Sequence, residues 1–154
     1  MIISSILQAA KLTVDDKIKA LWTPCDDNFE KFCNELAITK IDFHQIYYGN
    51  SLPNIIICND KVRYYDLCYS VSRKLHLPVL LIDHQSKNAM YDTEKIKRLD
   101  LFPCLHHICI SKQIRTSWQL QENIQILSYD INNKDNISIW NNTIFQTSQK
   151  TFKI

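Results

Sequence analysis

Glycine is almost absent from this chain: Gly49 is the single glycine among 154 residues, where average usage of about 7% would give roughly eleven. Phosphate-binding loops need several glycines at fixed spacing, because backbone N–H groups must reach the phosphate without an intervening Cβ. A Walker loop and a dinucleotide-binding fingerprint are therefore both excluded.

The chain also has no large excess of charge of one sign and no long apolar run. The 18 Lys and Arg against 16 Asp and Glu leave a net charge of +2, without the basic patch that nucleic-acid binding requires. The apolar segment 1–10 lacks a basic flank and ends at Lys11, well short of the ~20 residues of a bilayer span. We interpret it as a short helix and expect no signal peptide, no membrane and no nucleic acid as partner.

The six cysteines lie mostly within apolar-periodic stretches, and they form no C-x-x-C pair. This placement is typical of free buried thiols, so we expect a reducing, intracellular compartment. Asn, Lys, Ile and Tyr are plentiful while Gly and Pro are few. That bias is characteristic of AT-rich genomes, among them those of phages, viruses and low-GC bacteria.

Hydrophobic periodicity predicts an alternation of strands and helices. Strands are predicted at 17–22, 42–48, 54–58, 78–84, 107–111 and 123–129, with helices at 27–37, 62–76, 93–99 and 112–120. The continuous apolar strands 54–58 and 78–84 flank a helix, as in a parallel crossover unit. The fold class expected is α/β: a three-layer, Rossmann-like open sheet, mostly parallel, with helices on both faces.

Three segments follow from this pattern: an N-terminal helical arm at 1–16, a Rossmann-like domain at 17–130 and an Asn-rich C-terminal tail at 131–154. The tail is interpreted either as an arm that packs elsewhere or as the remnant of a linker.

Polar residues follow the ends of several predicted strands. Because ligands of parallel sheets bind beyond the carboxyl ends of the strands, these residues are candidates for a site. The candidate ligand-binding residues are Thr23, Asp26, Asn59, Asp60, Asp83, His84, Ser111 and Lys112. His84 is the candidate catalytic residue, as a general base or to orient a substrate hydroxyl. The alternative is that these residues end strands and cap helices, with His84 bonded to a loop carbonyl.

The segment Cys104-Leu-His-His-Ile-Cys109 suggests metal ligation at first sight. In a strand, however, His106 and Ile108 point to one face while His107 and Cys109 point to the other. Asp26 and Asp27 could hold a cation, but a helix N-terminus accounts for both carboxylates. We expect no metal and no cofactor.

The motifs at 19–24, 53–60, 77–84 and 108–118, in this order, resemble the N-terminal, acceptor-side half of GT-B glycosyltransferases of the family 4 type, over residues 17–129. The resemblance implies that His84 faces the acceptor and that Ser111 lines the same cleft. Such enzymes normally carry a glycine-rich first loop and bind the nucleotide sugar on a second Rossmann domain. Here residues 23–27 replace the glycines and the sequence ends where that domain would begin, so we expect no donor site of the usual kind.

Three functional hypotheses follow. In the first, the chain is a glycosyltransferase-like, non-catalytic module that binds a protein or glycan. In the second, it is a structural component of a larger assembly, such as a virion, and its terminal arms contact a protein partner or further copies of itself. In the third, it is the acceptor-side subunit of a split glycosyltransferase that needs a partner chain. The missing glycines and donor domain favour the two non-enzymatic hypotheses.

Overall fold

A computed structural model describes residues 17–48, 52–87 and 95–150. Within them, six parallel strands form one sheet in the order β2-β1-β3-β4-β5-β6. The strands are β1 (Ile18–Trp22), β2 (Ile38–Ile41), β3 (Ile55–Cys58), β4 (Val79–Asp83), β5 (Leu105–Cys109) and β6 (Gln125–Ile126). The helices are α1 (Asp27–Cys33), α2 (Gln45–Tyr48), α3 (Tyr65–Leu75), a 3-10 helix (Lys95–Leu101), α4 (Lys112–Ser117) and α5 (Lys134–Ser148).

The core consists of two apolar layers, one on each face of the sheet. Every residue of β3 and β4 is buried, because helices cover both faces of a parallel sheet. On one face, α1 and α5 contribute Phe29, Phe32, Trp140 and Ile144. On the other face, side chains of α3 pack with Phe102. The predicted α/β fold with a Rossmann-like open sheet is confirmed.

The predicted second strand at 42–48 is wrong. The strand lies earlier, at Ile38–Ile41, where it pairs with β1, and Gln45–Tyr48 forms the short helix α2. The side chain of Gln45 accepts a hydrogen bond of 2.8 Å from the Asp42 backbone N–H, which closes a turn that an extended chain could not make. The aromatic residues of 42–48 favoured a strand by propensity, but the residues that pair with β1 are the preceding ones, Ile38–Ile41.

The Asn-rich segment after residue 130 contains helix α5, which the sequence did not predict. The Asn133 side chain caps it by accepting a 3.1 Å hydrogen bond from the Asn136 N–H. Trp140 and Ile144, one helical turn apart, are fully buried in the core. Residues 134–148 therefore pack with the sheet, whereas the predicted arm at 1–16 and residues 151–154 lie outside the described residues.

The remaining elements fall near their predicted positions; β5 lies two residues earlier than predicted, and β6 is shorter than the predicted strand 123–129. Over 17–48, 52–87 and 95–150, none of the helices has both the length and the apolar character needed to cross a bilayer.

Candidate functional site: the cleft at the carboxyl edge

The candidate site lies beyond the carboxyl ends of β3 and β4, beside the point between β1 and β3 where the strand order reverses. Ligands of doubly wound sheets bind at such a switch point. A cavity of about 20 Å³ opens here, lined by Asn59, Asp60, Lys61, Asp83, His84 and Trp118 among others. This volume is enough for about one water molecule. We call this region the carboxyl-edge cleft.

Thr23 and Asn59 join the ends of β1 and β3. The Thr23 hydroxyl accepts a 2.8 Å hydrogen bond from the Asn59 N–H, and the Asn59 amide group donates one of 2.8 Å to the Thr23 carbonyl. The amide oxygen of Asn59 is buried and has no hydrogen-bond partner within the described part of the chain. Asn59, which lines the cavity, therefore has a buried acceptor without a partner, and such groups ordinarily find one.

A buried charge cluster forms the floor of the cleft. The Lys61 Nζ lies 2.9 Å from Asp83 Oδ2, and the His107 Nε2 lies 2.6 Å from the same oxygen. The Lys61 and Asp83 side chains are only 3% and 5% exposed. Burial by itself would raise the pKa of Asp83, but the His107 hydrogen bond and the Lys61 charge outweigh it, so the pKa is lowered. Asp83 is thus an anion whose charge is already neutralised.

Three residues from separate loops form the rim of the cleft: Asp26, Gln85 and Trp118. The Trp118 ring covers Lys61, whose Nζ lies 4.0 Å from the ring centroid. The Trp118 indole N–H donates a 2.8 Å hydrogen bond to the Gln85 carbonyl. The Gln85 amide in turn donates a 3.2 Å hydrogen bond to Asp26 Oδ2. A carboxylate, an amide and an aromatic ring therefore lie side by side at the mouth.

His84 lies in the wall of the cleft. Its ring stacks on Phe29 with a centroid separation of 4.5 Å, and its Nδ1 lies 3.6 Å from Asp26 Oδ2. Burial lowers the pKa of His84 in spite of the opposing Asp26 charge, so the neutral imidazole is favoured. A contact with the Asn59 backbone agrees with the alternative interpretation, in which His84 bonds to a loop carbonyl.

The other predicted residues divide between the cleft and its surroundings. Asp60 lines the cavity and accepts hydrogen bonds from the Val62 and Arg63 N–H groups. Ser111 is the N-cap of α4, where its hydroxyl accepts a 3.2 Å bond from the Ile114 N–H. Lys112 lies on an open groove along α4. Neither Ser111 nor Lys112 belongs to the cavity lining.

Asp83, His107 and Cys109 place ligand atoms within 4.8 Å of one another, on the strand face predicted for His107. The Lys61 ammonium already binds the carboxylate of this group. Burial raises the pKa of Cys109 to about 12, so the thiol is protonated when no metal is bound. The geometry therefore favours an internal ion pair over a metal centre. His106 points away and bonds to Gln125 at 2.8 Å.

Four members of the cleft are absent from the candidate list: Lys61, Gln85, His107 and Trp118. Lys61 and Gln85 belong to the polar clusters at the predicted strand ends, so their positions were indicated by the sequence, whereas His107 and Trp118 were missed. His107 lies within the predicted strand 107–111 and Trp118 within the predicted helix 112–120, so neither was expected at the carboxyl end of a strand. Only the adjacency of β4 and β5 brings His107 to Asp83. Comparison with protein-family models, with curated proteins and with solved structures found no match to this chain.

Proposed function

We propose that the carboxyl-edge cleft binds a polyhydroxyl ligand, such as a sugar unit of a glycan, and that the domain is a non-catalytic binding module similar to the acceptor half of GT-B glycosyltransferases. The observation that carries this proposal is the rim, which combines the Asp26 carboxylate, the Gln85 amide and the Trp118 ring. Carboxylates and amides bond to hydroxyl groups, and an aromatic face packs against the C–H side of a sugar ring.

The small cavity defines how such a ligand would sit. A volume of about 20 Å³ admits one hydroxyl group and excludes a sugar ring. A sugar would therefore rest on the rim with one hydroxyl in the cavity, where it would donate to the buried amide oxygen of Asn59. Because an unpaired buried acceptor is costly, this bond would add to affinity.

Pairing of the charged groups supports binding without catalysis. Asp83 is held by Lys61 and His107, and His84 faces Asp26. A general base must accept a proton from the ligand, but an Asp83 anion with two cation-type partners is a weak base. A split glycosyltransferase would have to separate these pairs when the partner chain bound.

Ligand binding is testable with a panel of neutral monosaccharides, including glucose, galactose, mannose and N-acetylglucosamine, followed by ligand-observed NMR and by calorimetry. We expect at least one sugar to bind and the variant Gln85→Ala to weaken it about tenfold, which corresponds to about 1.4 kcal/mol. The variant His84→Ala should also weaken binding, since the His84 ring supports Asp26.

The matched control is Lys112→Ala, because Lys112 is exposed and outside the cleft. Its affinity should equal that of the unaltered protein, and all variants should retain the same thermal midpoint within a few degrees. If no sugar in the panel binds, or if Lys112→Ala weakens binding as much as Gln85→Ala does, the cleft is not the binding site.

The assembly hypothesis is tested by deletions that leave helix α5 in place. Removing residues 137–154 would take Trp140 and Ile144 out of the core and so would unfold the domain. Deleting 1–16 or 151–154 avoids that core, and light scattering would then show whether either terminus holds the chain in an assembly.

A further inference from the structure

The charge balance of the carboxyl-edge cleft narrows the class of ligand that the cleft can bind. Its carboxylates are those of Asp26, Asp60 and Asp83, whereas Lys61 supplies the ammonium group of the cavity lining. The Lys61 ammonium lies 2.9 Å from Asp83 Oδ2, so these two charges offset each other. Asp26 and Asp60 therefore leave an excess of negative charge around the cavity.

The contacts of Asp26 and Asp60 do not remove this excess. Each carboxylate has one oxygen bonded to backbone N–H groups. The second oxygen of Asp26 lies 3.2 Å from the neutral Gln85 amide and 3.6 Å from His84, whose pKa is lowered by burial. The second oxygen of Asp60 lies 4.0 Å from Arg63 Nε, too far for a hydrogen bond, and the Arg63 side chain is 74% exposed. Such an exposed pair contributes little.

A buried acceptor also belongs to this cavity. Asn59 lines the cavity and is 5% exposed. Its amide nitrogen donates to the Thr23 carbonyl, whereas its amide oxygen has no hydrogen-bond partner within 17–48, 52–87 and 95–150. An amide oxygen only accepts hydrogen bonds, and buried acceptors ordinarily have a donor. A ligand group that donates hydrogen bonds would therefore satisfy Asn59.

We propose that the cavity receives a primary ammonium group, so that the cleft binds an amino sugar in preference to the corresponding neutral sugar. This inference rests on the proposed function and specifies its ligand. An ammonium group donates three hydrogen bonds and accepts none, which matches the acceptor oxygens of Asp26, Asp60 and Asn59. Hydrogen bonds to charged groups are about twice as strong as neutral ones. The volume of about 20 Å³ suits a group the size of one water molecule.

The test compares matched sugars by calorimetry at about pH 6.5, where an aliphatic amine is protonated. The pairs are glucosamine with glucose, galactosamine with galactose, and mannosamine with mannose. We expect at least one amino sugar to bind about tenfold more tightly than its neutral partner, which corresponds to about 1.4 kcal/mol. The N-acetylated form of that sugar keeps the nitrogen but lacks the charge, so it should lose this advantage.

Two variants show whether the carboxylates of the cleft cause the preference. Asp26→Asn and Asp60→Asn each keep an acceptor oxygen and remove the charge, so each should lower the ratio of amino-sugar to neutral-sugar affinity about threefold. The matched control is Asp135→Asn, an exposed carboxylate on α5 outside the cavity lining, which should leave the ratio unchanged. Thermal midpoints check that each variant is folded.

The outcomes separate this inference from the proposed function. If neutral sugars bind and no amino sugar binds more tightly than its partner, the ammonium preference is wrong while the proposed function stands. If no sugar of either kind binds, both are wrong. A ratio that Asp135→Asn lowers as much as Asp26→Asn and Asp60→Asn do would also overturn the inference.

Discussion

Replacing Lys61 with methionine would leave the Asp83 carboxylate buried without its ammonium partner. The two side chains are 3% and 5% exposed and their charged atoms lie 2.9 Å apart. Removing one member of a buried pair costs about 3–5 kcal/mol, and the contact between Lys61 and Trp118 is lost with it. We expect the free energy of unfolding to fall by about 3–5 kcal/mol at weakly alkaline pH.

The assay is urea unfolding followed by far-ultraviolet circular dichroism at weakly alkaline pH. Lys112→Met serves as the control, because Lys112 is exposed and should change stability by no more than about 0.5 kcal/mol. A cost for Lys61→Met equal to that of Lys112→Met would refute a buried ion pair.

Two further predictions concern the core and the wall of the cleft. Trp140→Ala should destabilise the domain by about 3–5 kcal/mol in calorimetry, because Trp140 is fully buried; Ile139→Ala on the exposed side of α5 should cost far less, and equal costs would contradict the packing of α5. Stability should fall as pH drops below about 6.5, because burial lowers the pKa of His84 and the unfolded chain then binds more protons. His84→Gln should make the free energy of unfolding, measured by denaturant titration at several pH values, fall less steeply with decreasing pH. The same pH dependence in the variant and the unaltered protein would argue against a buried neutral His84.

The wall of the cleft was predictable because strand-end positions can be read from apolar runs. His84 directly follows the buried run of β4, which ends at Asp83, and Asn59 follows that of β3. In the floor and rim, Asp83 and Asp26 were predicted in the same way, but the residues that pair with them across the chain were not. His107 reaches Asp83 from 24 positions along the chain, and the Trp118 indole reaches Gln85 from 33 positions away. Spacing along one strand or helix contains no information on such pairs.

By itself, the sequence determined that the chain has a parallel sheet and that it has no glycine-rich phosphate loop, since both depend on residue type and local periodicity. Tertiary structure decided which residues form β2, because Ile38–Ile41 pair with β1. It also decided that the Asn-rich segment forms a helix, because burial of Trp140 and Ile144 outweighs a local preference for turns. The buried pairing of Asp83 with Lys61 and His107 arises only when three chain segments meet, because a charge tolerates burial only where its partners are already in place.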